Sequence, residues 1–200
     1  MPFNLAPRVT VYPFGSEMPA LATDSIALPQ LRRAEGESEV FGDGSHATTR
    51  LCAIVLDLLC RQRQPGAVLD VGTGTGVLAR IARARGASLV VGTDIDAAAL
   101  ASAAAHARLD SHSVAIELSG DAPDRWGARF DLIVANILEG PLTELAPALA
   151  RALTSGGVLL ISGFMRPQAP ALRARYERFG LIPSGESCLE GWVLLTFARP

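Results

Sequence analysis

The chain contains no lysine; all 18 of its basic residues are arginine. Its three cysteines, Cys52, Cys60 and Cys188, form neither a disulfide framework nor a zinc-ligand pattern. His106 and His112 have no partners at metal-ligand spacing and read as structural or surface residues, so no metal is expected. The formal charge is only −2, with no basic stretch to advertise a duplex footprint, so nucleic acid is not an expected partner. No apolar run approaches the ~20 residues of a membrane span, which excludes a membrane partner of that kind. The N-terminal MPFNLAPRVT lacks the basic region and long apolar run of a secretory signal. A cytoplasmic location is the default that remains.

What is present suits one ordinary globular domain. Two hundred residues with 49% apolar content can bury a full core. Cys52 and Cys60 fall on an apolar helical pattern and read as small core residues. Arg32-Arg33 and the group Arg80, Arg83 and Arg85 read as solvated faces.

The most informative stretch is Val68–Ala79, VLDVGTGTGVLA. A β-branched run enters a glycine cluster, and a helix-forming pattern leaves it. Asp70, Gly72, Gly74 and Gly76 stand two residues apart, which permits positive φ and close approach of a ligand to the backbone. The following helix directs its free N–H groups at whatever occupies the turn. The dinucleotide fingerprint GxGxxG fails because Val77 stands at its last position, and the Lys-Ser/Thr pair of a phosphate loop is absent. An acidic residue ahead of the first glycine, DxGxGxG, resembles instead the S-adenosylmethionine (SAM) methyltransferases. A glycine turn without any ligand is the alternative.

Taken in order, Arg8–Tyr12 alternates like a short strand, and Ser25–Leu28 is expected to pair with it as a hairpin. Residues 1–40 read as a short extension or lid. VFGDGSHATTR, 40–50, leads into a helix from about Thr49 to Gln62 with Thr48 or Thr49 as its N-cap. From composition alone this stretch reads as only a capped loop. A helix from Gly76 to Arg85 and a strand over Ser88–Thr93 follow, with Asp94 at the strand's end, 18 residues beyond Gly76. Strand ends share one crevice in an α/β sheet, and a carboxylate there accepts both ribose hydroxyl protons. Asp96 is the better cap for the next helix, Asp96–Leu109.

Val114–Leu118 is the next strand, and Asp121 beyond it meets an adenine edge or makes an Asx turn. The apolar strand Phe130–Ala135 delivers Asn136-Ile137-Leu138-Glu139 to the same rim. A helix over Leu142–Leu153, a Gly156-Gly157 turn, a strand Val158–Ser162 and a helix Gln168–Phe179 come next. Leu181–Ser184 and Gly191–Ala198 close the chain as a hairpin. Gly191-Trp192 reads as closing the sheet edge, with a substrate rim as the alternative. The expected fold is α/β: a Rossmann-like doubly wound sheet with an antiparallel C-terminal hairpin.

FGDGSHATT, VLDVGTGTG, VGTDID and ANIL, in that order, resemble the ribosomal-protein lysine methyltransferases called PrmA over about residues 40–200. The resemblance implies a class I SAM-dependent methyltransferase with seven strands, occupying residues 41–200. It implies that Phe41, Thr49, Gly72, Asp94 and Asn136 contact the cofactor, and that His46 supports its loop. Gly74, Ile95 and Asp121 complete the expected cofactor set. Family members carry a separate N-terminal recognition domain, and the forty residues here are too few for a comparable one. The family's glycine loop commonly has Cys and Ser where this chain has Thr73 and Thr75.

Asn136 is the expected catalytic residue. Its side-chain carbonyl and neighbouring backbone carbonyls can accept two N–H bonds from a neutral amine and aim its lone pair at the methyl. The expected acceptor is an amine nitrogen, a lysine or N-terminal amine of a protein or peptide. A small-molecule amine is the alternative. Solvent or Glu139 would take the proton.

Overall fold

A computed structural model of the chain describes residues 1–31, 40–109, 113–127 and 129–200, apart from the side chain of residue 114. Arg32-Arg33 and His112, singled out above, lie outside the described residues.

Strand and helix alternate from residue 47 onward as expected. The order runs α1 (Ala47–Gln62), β4 (Ala67–Val71), α2 (Val77–Ala84), β5 (Leu89–Thr93), α3 (Ala97–Ala107), β6 (Ile116–Ser119) and β7 (Phe130–Asn136). It continues with α4 (Glu139–Ala152), β8 (Leu153–Met165), α5 (Ala169–Glu177), β9 (Ile182–Leu189) and β10 (Trp192–Ala198). Three strands, β1 (Phe3–Ala6), β2 (Val9–Pro13) and β3 (Ile26–Gln30), precede them. The main sheet has the order β6-β5-β4-β7-β8-β10-β9. Its strands are parallel except β10, which runs antiparallel to both β8 and β9.

Successive residues of each central strand point to opposite faces, and both faces are apolar because helices cover both. Val68, Val90, Leu132, Val134, Leu160 and Leu194 join the core under α1 and α2. Leu69, Val91, Ile133, Ala135, Ile161 and Leu195 join the core under α4 and α5. The strand order reverses between β4 and β7, the place where an open α/β sheet leaves a crevice at its carboxyl edge.

Several boundaries differ from the sequence reading. β8 is longer than Val158–Ser162: Leu153 already pairs with Phe130, and the Gly156-Gly157 turn, with Gly156 at φ 73°, sits inside the strand as a break of register before Val158. Gly156 N–H donates to the Arg199 carbonyl at 2.8 Å, and Arg199 N–H to that of Gly157 at 3.0 Å, so on the β10 side the glycines continue the pairing. Ile26–Gln30 pairs with β2 in parallel, not as a hairpin. Residues 14–25 supply the crossover a parallel pair requires, and the antiparallel partner of β2 is β1.

The small sheet shares the core of the large one: Leu5, Ala6, Val9, Val11 and Leu28 are buried in the cluster that contains α1 and α2. The arginines read as solvated fix it there. Arg80 is 2% exposed, and its guanidinium donates to the Pro29 carbonyl at 2.7 Å. Arg85 pairs through Nε with Asp57 Oδ1 at 2.6 Å and through Nη1 with Asp24 Oδ1 at 3.1 Å. Asp57 also receives Arg61 Nε at 3.2 Å. Nothing in the local pattern of residues 77–86 signals that another layer covers these arginines.

Arg85→Ala leaves buried Asp57 with one partner in place of two. It is expected to lower stability by about 3 kcal/mol, as for a broken buried ion pair. Arg173→Ala, at the exposed pair with Glu186, is expected to cost less than about 1 kcal/mol. Urea denaturation of both variants measures the difference.

Candidate active site

The turn after β4 is held from three sides. Gly72 and Thr73 both donate their backbone N–H to the Thr93 carbonyl, at 2.8 and 2.9 Å, joining the tips of β4 and β5. Thr75 N–H donates to the Phe41 carbonyl at 3.1 Å, and Thr75 Oγ1 to the Gly42 carbonyl at 2.5 Å, joining the turn to the loop ahead of α1. Inside the turn, Asp70 Oδ2 accepts from Thr73 Oγ1 at 2.8 Å and from Ala79 N–H at 3.1 Å. The two threonines therefore brace the loop. Gly74 is in the left-handed region at φ 54°, and a Cβ there would collide with the Phe41 carbonyl.

Asp70 is buried, and its Oδ1 has no partner among the described residues. Burial pushes its carboxyl up to about 6, against the pull of the Thr73 and Ala79 hydrogen bonds. Burial likewise raises the Cys52 thiol, and that of Cys60 to about 12, in keeping with inert core cysteines.

A cavity of about 630 Å³ opens beside this turn, within the usual size range of small-molecule sites. Gly72, Gly74, Asp94, Ile95, Asp121, Asn136 and Phe41 all line it. Asp94 accepts from Gly74 N–H at 3.0 Å through Oδ2 and from Asp96 N–H at 3.0 Å through Oδ1. Each oxygen keeps a second lone pair for a ligand hydroxyl. Asp96 caps α3 by accepting from Ala98 N–H at 2.8 Å. Ile95 is fully exposed at the rim, and Asp121 carries an exposed pair with Arg125 at 2.6 Å.

Asn136 ends β7 with its Oδ1 buried and unpartnered among the described residues, while Nδ2 donates to Thr49 Oγ1 at 3.4 Å. Thr49, expected among the cofactor contacts, is not among the lining residues; it is buried behind Asn136 and orients it. The cap of α1 is His46, not Thr48 or Thr49: its Nδ1 accepts from Thr48 N–H at 3.3 Å and lies 2.8 Å from Thr48 Oγ1. The His46 ring meets Phe41 edge-wise at 5.2 Å and Trp192 at 4.8 Å. Trp192 lines the cavity, so Gly191-Trp192 does more than close the sheet. Ile137, Leu138, Pro141 and Leu145 also line it. The ANIL motif pointed at the first two, whereas Pro141 and Leu145 stand four residues apart on α4, which starts at Glu139, three residues earlier than expected.

The strand order and the glycine turn at its switch point define a class I methyltransferase fold. The chain matches the family model described as ribosomal protein L11 methyltransferase (PrmA) over residues 2–200, and it belongs to that family. The match takes in the first forty residues, which the sequence motifs alone did not reach. A ribosomal protein L11 methyltransferase of Methylobacillus flagellatus is 44% identical over 160 residues, covering 80% of this chain and 52% of the relative. One of Chromohalobacter salexigens is 38% identical over 202 residues, covering 100% and 64%. The chain thus spans about half to two thirds of the length of these curated relatives. The crystal structure of a ribosomal protein L11 methylase from Lactobacillus delbrueckii subsp. bulgaricus superposes with a TM-score of 0.85 at 28% identity, covering 99% of this chain and 98% of that one.

The Asp70 environment makes stability depend on pH. Its raised pKa favours the folded state while the carboxyl is protonated, an advantage lost as pH rises from the ordinary carboxylate range through about 6. Relative to Asp70→Asn, the wild type is expected to lose melting temperature between pH 4 and pH 6.5 and to run parallel above that. A difference independent of pH would contradict the assignment.

Proposed function

We propose that this chain transfers a methyl group from S-adenosylmethionine to an amine nitrogen of a protein, with residues 41–200 carrying the chemistry and residues 1–40 an N-terminal extension. Among the described residues, every one that lines the cavity lies at or beyond Val40. The reading rests above all on Asn136, a residue of the cavity wall whose buried Oδ1 has no partner among the described residues. A buried, unsatisfied amide oxygen costs free energy unless a ligand donates to it, and an amine N–H is such a donor.

The residues present fit the donor molecule. Asp94 offers free lone pairs for two ribose hydroxyls, Ile95 an apolar surface for a flat base and Asp121 an acceptor at the base edge. The glycine turn leaves room for the amino-acid end. S-adenosylmethionine, when bound, supplies a methyl group on a positively charged sulfur. Asn136 Oδ1 then accepts from the incoming amine while its Nδ2 donates to Thr49 Oγ1. With that N–H engaged, the nitrogen lone pair is aimed along the line of attack.

A protein acceptor is supported by the L11 methyltransferase names carried by the relatives of this chain. Tritiated S-adenosylmethionine, incubated with the chain and either purified ribosomal protein L11 or lysate split into protein and small-molecule fractions, tests this. Label in protein is the expected result; label only among small molecules would replace the acceptor class. Asn136→Ala is expected to keep its fold and lose most transfer, and wild-type turnover would remove Asn136 from the mechanism. Asp94→Ala is expected to weaken donor binding by about 1–3 kcal/mol in calorimetry, and unchanged affinity would refute its role.

A further inference from the structure

We propose that Trp192 forms the acceptor wall of the cavity and that its indole face stabilises the positive charge arriving on the acceptor nitrogen. This rests on the amine-transfer reading above and deepens it. The sheet divides the cavity: β6, β5 and β4 supply Asp121, Asp94 and the glycine turn on one side of Asn136, and β8 and β10 lie on the other. Trp192 opens β10. Neighbouring strands are spaced by about 4.8 Å, so an indole two strands from β7 can reach toward Asn136. The first turn of α1 ties the two together, since Thr49 holds Asn136 while the capping His46 packs on Trp192 at 4.8 Å.

Three further features fix the indole. The residues between β9 and β10, Glu190 and Gly191, both have positive φ, 54° and 83°, as a two-residue hairpin with the primed twist requires. Trp192 stands in register with Leu189 on one side and Met165 on the other. The β8–β10 pairing slips by one residue between Val193 and Leu194, which leaves Gly163 as the bulge at φ 103°. A Cβ at Gly163 would collide with the Ile137 carbonyl, so the bulge brings the β8 tip against the Asn136 loop. Bulges next to sites commonly re-aim a side chain; this one lies one residue pair beyond Trp192 and Met165.

The charge balance of the reaction gives the indole its use. The nitrogen lone pair forms the new C–N bond as the S–C bond breaks; the sulfur keeps that electron pair and becomes a neutral thioether. The positive charge passes to nitrogen, which later releases a proton to solvent. An aromatic face attracts a cation and not a neutral amine, so Trp192 holds the charged nitrogen more tightly than the incoming one. That difference lowers the barrier without tightening ground-state binding. It also favours alkyl amines, which become cations, over acceptors that end neutral.

The test compares wild type, Trp192→Phe and Trp192→Leu on ribosomal protein L11, with S-adenosylhomocysteine affinity measured alongside by calorimetry. We expect kcat to fall roughly 2- to 30-fold in Trp192→Leu, the range of a cation–π contact. KM and S-adenosylhomocysteine affinity should hold, and Trp192→Phe should recover part of the loss. Unchanged kcat in Trp192→Leu, or an equal fall in S-adenosylhomocysteine affinity, would overturn the assignment while leaving the amine reading intact. Absence of transfer by the wild type to any protein would instead overturn the reading on which it rests.

Discussion

Everything at the carboxyl edge of the sheet depends on one shared acceptor, the Thr93 carbonyl, which takes the N–H groups of both Gly72 and Thr73. That bifurcated tie draws the tips of β4 and β5 together and presents Gly74 N–H to the Asp94 carboxylate. Without it, β4 and β5 would still pair, but the glycine turn would lose its tie to the tip of β5 that carries Asp94. Asp70, from beneath, sets the turn's curvature through Thr73 and the first turn of α2. It does so at the cost of a buried carboxyl with one unsatisfied oxygen.

The loop ahead of α1 is the second half of the same construction. Its backbone accepts from Thr75 twice, through Phe41 and Gly42, and its His46 starts the helix that carries Thr49. One short segment thereby couples the donor turn, the orientation of Asn136 and the placement of Trp192. The N-terminal sheet braces the far end of α1 and of α2 through Asp24, Asp57 and Arg85. Its Leu5 and Phe3 pack near Gly44, where a Cβ would press on both side chains. A change in the first thirty residues therefore has a direct physical route to the 40–46 loop.

Much of this was legible in the sequence because the β-α alternation is written in local patterns: β-branched runs, glycine breaks and alanine-rich helices. The glycine turn, Asp94, the Asp96 cap and Asn136 were readable because each occupies a strand end, and strand ends fall next to turn residues. The parts not legible depend on tertiary approach. Arg80 and Arg85 looked solvated because nothing in residues 77–86 reports that β3 and Asp24 will cover them. His46 competes with Thr48 and Thr49 for the cap, and only the three-dimensional position of its Nδ1 decides. Trp192 lines the cavity on a strand whose register against β8 shifts at Gly163, nearly thirty residues away in the chain, which no period count reveals.

The central claim is that the tips of β4, β5 and β7 together hold the methyl donor with its sulfur directed at Asn136. A crystal structure of the chain with S-adenosylhomocysteine tests it most directly. The account predicts ribose hydroxyls on the Asp94 carboxylate, the base between Ile95 and Asp121, and the sulfur on the Asn136 side of the glycine turn. Electron density for the molecule outside this cavity, or lying in it with the sulfur turned away from Asn136, would contradict the account.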